Sequence, residues 1–158
     1  MTPAIDAAKK RKIAFTVHQY SHDPTSDAYG REAAEKLGVD EARVFKTLVV
    51  QLDGGSLAVG VIPVSSMLSM KQIAKAAGAK KAAMADKALV ERVTGYVLGG
   101  VSPLGQKKRL ATVIDTSAGD FPTIFVSAGR RGLSLELAAA DLVLLTGGCL
   151  AAIRQEAD

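Results

Sequence analysis

Residues 99–109, GGVSPLGQKKR, set three glycines and a proline beside three cations. Such a stretch suits either a loop that only turns the chain or a backbone cradle with a polyanion docked next to it. Glycine permits close backbone approach, and proline fixes the exit of a turn. A serine hydrolase would need G-x-S-x-G. Here Gly100-Val101-Ser102-Pro103-Leu104 lacks the last glycine and puts proline directly after the serine, so Ser102 is not expected to be a triad nucleophile. The two histidines, His18 and His22, are four apart, but a predicted strand breaks into a loop between them. That removes the shared helical face on which this spacing binds zinc. Neither G-x-G-x-x-G nor a P-loop is present, because Gly99-Gly100 lacks the spaced third glycine and no G-K-[ST] follows. No metal and no cofactor are therefore expected. Any catalysis must lean on positioning, backbone hydrogen bonds and something the substrate brings.

Lys46 breaks pattern inside the apolar run Val44-Phe45-Lys46-Thr47-Leu48-Val49-Val50. A cation there is costly to bury unless it projects into a polar pocket or meets an acceptor. Periodicity alone also allows an edge-strand lysine that points to solvent. Cys149 stands alone, with no metal-ligand spacing around it, and is expected to be a small buried hydrophobe in a reducing cytoplasm.

The elements that must position these residues are legible in outline. Thr2-Pro3 followed by Asp6 predicts a capped helix running to about Lys12. Phe15 to Tyr20 alternates as a strand, residues 21–30 are a polar loop, and Gly38 closes a second helix. Arg43 to Leu52 and Ser56 to Val64 predict a hairpin about Asp53-Gly54-Gly55. Ser69 to Gln72 has capping-box spacing for a helix closing at Gly78, and Asp86 caps another that ends at Gly95. Ala111 to Asp115 and Thr123 to Ser127 read as strands, and SLELAAADLVLLTGG predicts a strand passing into a helix. The order predicts an α/β fold over residues 1–158, one domain with a mixed, largely antiparallel central sheet flanked by helices.

Composition limits the function classes. With 158 residues, 48% apolar and 23% charged, the chain has the makings of one globular core. No Trp and 4% aromatics leave little for stacking single-stranded nucleic acid. No apolar run reaches the roughly 20 residues of a membrane span, and the N-terminal cations precede no apolar leader segment. A soluble, unexported, cytoplasmic protein is expected, with neither membrane nor DNA as partner. The formal charge is +4, but the cations clump at Lys9 to Lys12, Lys80-Lys81, Lys107 to Arg109 and Arg130-Arg131. Clumped cations either steer a polyanion or form solvated surfaces.

Val44-Phe45-Lys46-Thr47-Leu48-Val49, the stretch Thr94 to Gly105 and the stretch Val126 to Leu133 together resemble the YbaK branch of aminoacyl-tRNA deacylases. These are free-standing relatives of the editing domain inserted in bacterial prolyl-tRNA synthetase. The likeness runs in order along nearly the whole chain, including Thr2-Pro3-Ala4, Tyr20 with the following His-Asp-Pro, and Met84-Ala85-Asp86. It implies the YbaK editing-domain fold and a trans-editing enzyme that removes cysteine wrongly attached to proline tRNA. Shape discrimination among small side chains yields only a few kcal/mol, so a second sieve is needed.

By that resemblance, Gly99, Gly100, Val101, Ser102 and Pro103 form the active-site loop, with backbone amides near the scissile ester. Lys46 matches the functional lysine, placed to anchor a phosphate or ribose hydroxyl and orient the ester. Tyr20, Gly129 and Arg130 match substrate-binding positions, with the choice between Arg130 and Arg131 left open. Lys107, Lys108 and Arg109 are placed to meet tRNA phosphates or to solvate the surface. The resemblance further implies that the substrate's own thiol attacks its ester. Ser134 stands where some relatives carry aspartate, with Glu136 two residues on, and the roles of both stay open. The implied partners are the acceptor end of a mischarged tRNA and prolyl-tRNA synthetase. A deacylase of Ala-tRNA(Pro) or another small aminoacyl-tRNA, and a non-catalytic aminoacyl-tRNA or synthetase-binding module, fit the same resemblance.

Overall fold

In a computed structural model, which describes residues 1–156, eight strands divide between two sheets and five α-helices pack around them. Helix α1 (Pro3–Lys10) begins as its sequence predicts. The Thr2 hydroxyl accepts from Ile5 N–H at 3.2 Å and donates to the Ala128 carbonyl, which ties the chain start to the sheet. Ala4, Ile5 and Ala8 recur at helical spacing and are buried.

Strand β1 (Phe15–Gln19) pairs antiparallel with β7 (Leu133–Leu137), which pairs antiparallel with β6 (Ile124–Arg130). The larger sheet has the order β4 (Ala82–Met84), β2 (Phe45–Leu52), β3 (Leu57–Pro63), β5 (Ala111–Asp115), β8 (Cys149–Ala151). Its β4–β2 and β2–β3 pairs are antiparallel, whereas β3–β5 and β5–β8 are parallel. Among the described residues, one isolated bridge, Val44 to Phe125, joins the two sheets. The α/β class and the mixed, largely antiparallel pairing expected from the sequence are present, but the one central sheet is in fact two. Neither the sheet boundary nor the pairing partners of a strand are encoded in its own alternation.

Strand β3 explains why the larger sheet needs two cores. Val59 and Val61 face a core shared with Phe45, Val49, Ile114 and the leucines of β7, while Ala58 and Ile62 face Val50, Leu68, Ile73 and Val113. Burial on both faces produces a continuous apolar run rather than a polar alternation. The first core is roofed by α1 and α5 (Ala139–Thr146), the second by α3 (Met70–Ala76). Helix α3 starts at Ser69, whose Oγ accepts from Gln72 N–H at 3.1 Å.

Two short strands escape sequence reading. β4 is only three residues long and takes its place through Asp53, which accepts from Lys80 and Lys81 N–H at 2.9 Å each. β8 is equally short, and its Cys149 is exposed rather than buried as expected, because this edge strand pairs with β5 alone. Beyond β8 the chain is clamped by the buried carboxylate of Asp115, which accepts from Ile153 N–H at 3.1 Å and meets Arg154 at 3.0 Å. Ile153 and Gln155 in turn hydrogen-bond Ser69 and Met67. The C-terminal segment thus fastens the loop after β3. Among the described residues, no helix is long and apolar enough to cross a membrane.

Candidate active site

A cavity of about 550 Å³ opens where the two sheets meet. Its walls come from the starts of β2 and of α2 (Tyr29–Leu37), the loop after β3, the glycine loop and the β6–β7 hairpin. Lys46 enters from β2. By strand alternation it shares a face with Leu48 and Val50, which is why its sequence context looks apolar. It is half-buried and has no carboxylate partner among the described residues. Burial, followed by the charge of Arg31, holds its ammonium below the ordinary value of 10.5. Next to it the Thr47 hydroxyl is buried without a hydrogen-bond partner. An uncompensated cation in a concave, partly apolar site favours an anionic or hydroxyl-rich ligand.

The glycine loop forms the facing wall through Leu98, Gly99 and Val101. Gly99 has φ +84°, which disfavours any residue with a Cβ. Gly100 is committed to the turn, its N–H donating to Val97 at 2.9 Å, and a Cβ there would fall 2.7 Å from Arg130 Cα. Backbone therefore touches backbone where loop meets hairpin. The amides of Gly99 and Val101 have no acceptor among the described residues. Both residues line the cavity. The loop is fixed behind by Tyr96, whose hydroxyl donates to the Leu104 carbonyl at 2.6 Å and whose pKa burial pushes up to about 12.

A bulge between Ser127 and Arg130 decides which hairpin residues reach the cavity. Residues three apart on a regular strand face opposite ways, yet both Ser127 and Arg130 line this site. Gly129, inside the bulge, turns away and packs against Thr2 and Tyr96, where a Cβ would approach each at 3.0 Å.

The remaining wall is held by a buried carboxylate. Glu32 accepts from Asp23 N–H at 2.8 Å and bonds His22 Nδ1 at 2.6 Å, which orders the loop leading to Asp27, Ala28 and Tyr29 at the cavity. Burial pushes this carboxyl up, but the His22 bond, the Asp23 amide and the charges of His22 and Lys36 outweigh it, leaving it below 4.5. Stability from this group is present above pH 4.5 and lost as pH falls through the lower folded-state value. Glu32→Gln is accordingly expected to cost about 1–3 kcal/mol at pH 7. The gap from wild type should narrow at pH 3 when urea midpoints are compared; an equal gap at both pH values would assign the loss to packing.

The structure brings together Lys46, Tyr20, Gly99, Val101, Arg130 and Ser134 around one cavity. Tyr20 lies half-buried there, its phenol raised above 10.0 by burial and by the charge of Glu32, against the opposing effect of the Gly132 backbone. Gly100, Ser102, Pro103 and Gly129 support the site from behind. Ser102 is fully buried and its Oγ accepts from Leu104 N–H, while Pro103 lines a separate cavity of about 200 Å³ with Arg109. Lys107 and Lys108 dock by backbone N–H on Thr94 and Val93 at the end of α4 (Lys87–Thr94), with exposed side chains outside the cavity. Arg109 lies against Gly147 at the C-terminus of α5, where a cation meets the negative end of the helix dipole. Glu136 also lies elsewhere, joined to His18 at 2.8 Å, to Thr123 and to Arg43.

Tyr29, Arg31, Ser66, Met67 and Ser127 line the cavity without having been singled out in the sequence. The polar loop before α2 and the serine pair after β3 carry no spacing motif, and only tertiary contact gathers them. Among the described residues, no three His, Cys, Asp or Glu side chains cluster as a metal site.

The family model described as "Aminoacyl-tRNA editing domain" matches residues 22–145. The chain belongs to the aminoacyl-tRNA editing domain family. This editing domain is 37% identical over 154 residues to the Enterococcus faecalis protein named "Putative Cys-tRNA(Pro)/Cys-tRNA(Cys) deacylase EbsC", covering 96% of this chain and 92% of that one. It is 29% identical over 118 residues to YwhH of Bacillus subtilis, covering 75% and 74% of the two chains. Among solved structures, the editing domain superposes with a TM-score of 0.85 on "a putative trans-editing enzyme for prolyl tRNA synthetase", at 21% identity and 98% and 96% coverage. That likeness establishes the fold. A hypothetical protein of known structure superposes with a TM-score of 0.87 at 28% identity, covering 98% of this chain and all of that one. The activity of the editing domain is aminoacyl-tRNA deacylation, and its substrate is an aminoacyl-tRNA.

Proposed function

We propose that this editing domain acts in trans on cysteine mischarged to proline tRNA, and that the cysteine thiol of the substrate is the nucleophile. The observation that carries the reading is the lining of the cavity: among the described residues it holds a lysine, two arginines, the carboxylate of Asp27 and several hydroxyls but neither histidine nor cysteine. His18 and His22 are engaged with Glu136 and Glu32. No hydroxyl at the site therefore has an imidazole to activate it, whereas a thiol with pKa about 8.5 supplies thiolate at neutral pH unaided. The thiolate sulfur attacks its own ester carbonyl, the C–S bond forms as the C–O bond to the terminal ribose breaks, and the thiol proton ends on the ribose oxygen. The name of the Enterococcus faecalis relative supports the cysteinyl assignment.

In this reading Lys46 anchors a phosphate or ribose hydroxyl of the terminal adenosine, and Tyr20 and Arg130 line the bound acceptor end. The Gly99 and Val101 amides face the developing oxyanion, each contributing up to a few kcal/mol. Lys107, Lys108 and Arg109, being outside the cavity, serve the longer reach of the acceptor stem. A protein this small has little surface for reading a tRNA body, so prolyl-tRNA synthetase supplies tRNA selection in the cytoplasm.

Single-turnover deacylation of Cys-tRNA(Pro), Ala-tRNA(Pro), Pro-tRNA(Pro) and S-methylcysteinyl-tRNA(Pro) tests this directly. Only the cysteinyl ester is expected to be cleaved. Cleavage of the S-methyl ester at a comparable rate would remove the thiol from the mechanism, activity on the alanyl ester would reassign the substrate, and binding without turnover would make the protein a docking module.

A further inference from the structure

The two arginines of the β6–β7 hairpin do different things. Arg130 lines the cavity, whereas the guanidinium carbon of Arg131 sits 4.6 Å from the ring centroid of Tyr29 and its Nε donates to the Leu98 carbonyl at 2.9 Å. Gly99 closes the arrangement: a Cβ there would fall 2.7 Å from Arg131 Nε and 2.9 Å from two ring atoms of Tyr29. Three separate elements, the start of α2, the glycine loop and the hairpin, thus meet at one contact. We propose that Arg131 and Tyr29 form a latch that positions the Leu98–Gly99 tip of the glycine loop over the cavity, leaving Arg130 as the hairpin's substrate-facing cation. The inference rests on the reading of this cavity as the deacylation site.

The tip needs such a latch because apolar burial does not hold it. Val97 and Leu98 are 56% and 48% exposed. Its other fastenings are polar: Leu98 N–H to Glu91 at 3.2 Å and Gly100 N–H to Val97 at 2.9 Å. Arg131 adds the bond that couples the tip to the opposite wall. Arginine suits the task because one planar group stacks on a ring by its face and donates by its edge, which a lysine ammonium cannot do at once. Tyr29 is braced in turn by His22, its ring 5.8 Å away, which Glu32 holds. Only the ring of Tyr29 enters the contact, so the latch does not need its hydroxyl. Arg131 is a positioning residue: it sets where the free amides of Gly99 and Val101 point.

The test combines amide hydrogen exchange of residues 97–101 with steady-state kinetics on whichever aminoacyl-tRNA the wild type cleaves fastest. Arg131→Ala, Arg131→Lys and Tyr29→Ala are expected to speed exchange of the hydrogen-bonded Leu98 and Gly100 amides about tenfold. They should lower kcat by about tenfold, with KM changed less than about threefold, as misplaced donors weaken the transition state more than binding. Tyr29→Phe should keep wild-type exchange in this segment, and the double variant Arg131→Ala/Tyr29→Ala should be no worse than either single one. Unchanged exchange in Arg131→Ala overturns the latch. So does a raised KM with kcat intact, which would make Arg131 a tRNA contact, and so do additive losses in the double variant. If no aminoacyl-tRNA is cleaved, the functional reading fails while the exchange measurements still decide the latch.

Discussion

Lys46→Ala is expected to lower kcat/KM for aminoacyl-tRNA deacylation by about 10²–10³, the usual loss when one charge-stabilising donor leaves a partly dry site. The variant is expected to stay folded. Lys46 is half-buried, lacks a carboxylate partner among the described residues and faces the charge of Arg31, so it costs stability where it stands. Its folded-state pKa lies below 10.5. Between that value and 10.5 the unfolded chain binds more protons than the folded one, and stability rises with pH across the window. Below the window the protonated lysine carries its full desolvation cost. Lys46→Met relieves it, and this variant is expected to melt higher than wild type at pH 7, with the advantage shrinking as pH approaches 10.5. Thermal melts at pH 7 and 10 alongside single-turnover rates check both halves. A Lys46→Met protein that melts lower at pH 7, or a Lys46→Ala protein with wild-type rates, would place Lys46 among structural residues.

Gly100→Ala is the second large effect, and it arises from backbone geometry. The added methyl carbon would lie 2.7 Å from Arg130 Cα and 3.2 Å from Arg130 N and C. None of these atoms can swing away, so the glycine loop and the hairpin must separate. The expected cost is about 1–3 kcal/mol of stability, as for other overpacked sites. Displacing the loop also moves the Gly99 and Val101 amides, and misplacement of about 1 Å lowers rates about 10²-fold. Gly119→Ala is the matched control: nothing lies within 4 Å of its added carbon, and it should change stability by less than about 0.5 kcal/mol. Equal rates for the two variants would show that the loop–hairpin contact does not set the site geometry.

Several elements were legible because their causes are local. The Thr2-Pro3 cap, the Asp53-Gly54-Gly55 turn and the Ser69 cap each depend on residues within four positions of one another, and each forms as predicted. The aminoacyl-tRNA editing family was also readable, through the order of its motifs. The cavity was only partly so. Gly99 and Lys46 stand out by type, but Tyr29, Arg31 and Ser66 lie in stretches with no period or spacing to mark them.

What the sequence determined by itself is the α/β class, most element boundaries, and the absence of triad, zinc and dinucleotide motifs, all of which follow from periodicity and spacing along the chain. The tertiary structure alone decided the division into two sheets, the exposed edge position of Cys149, and the bulge that turns both Ser127 and Arg130 to the cavity. It also decided that Arg130 lines the site while Arg131 lies on Tyr29. Neighbouring residues of one type are alike in sequence, and only contacts made by distant segments, here the start of α2 and the glycine loop, distinguish them.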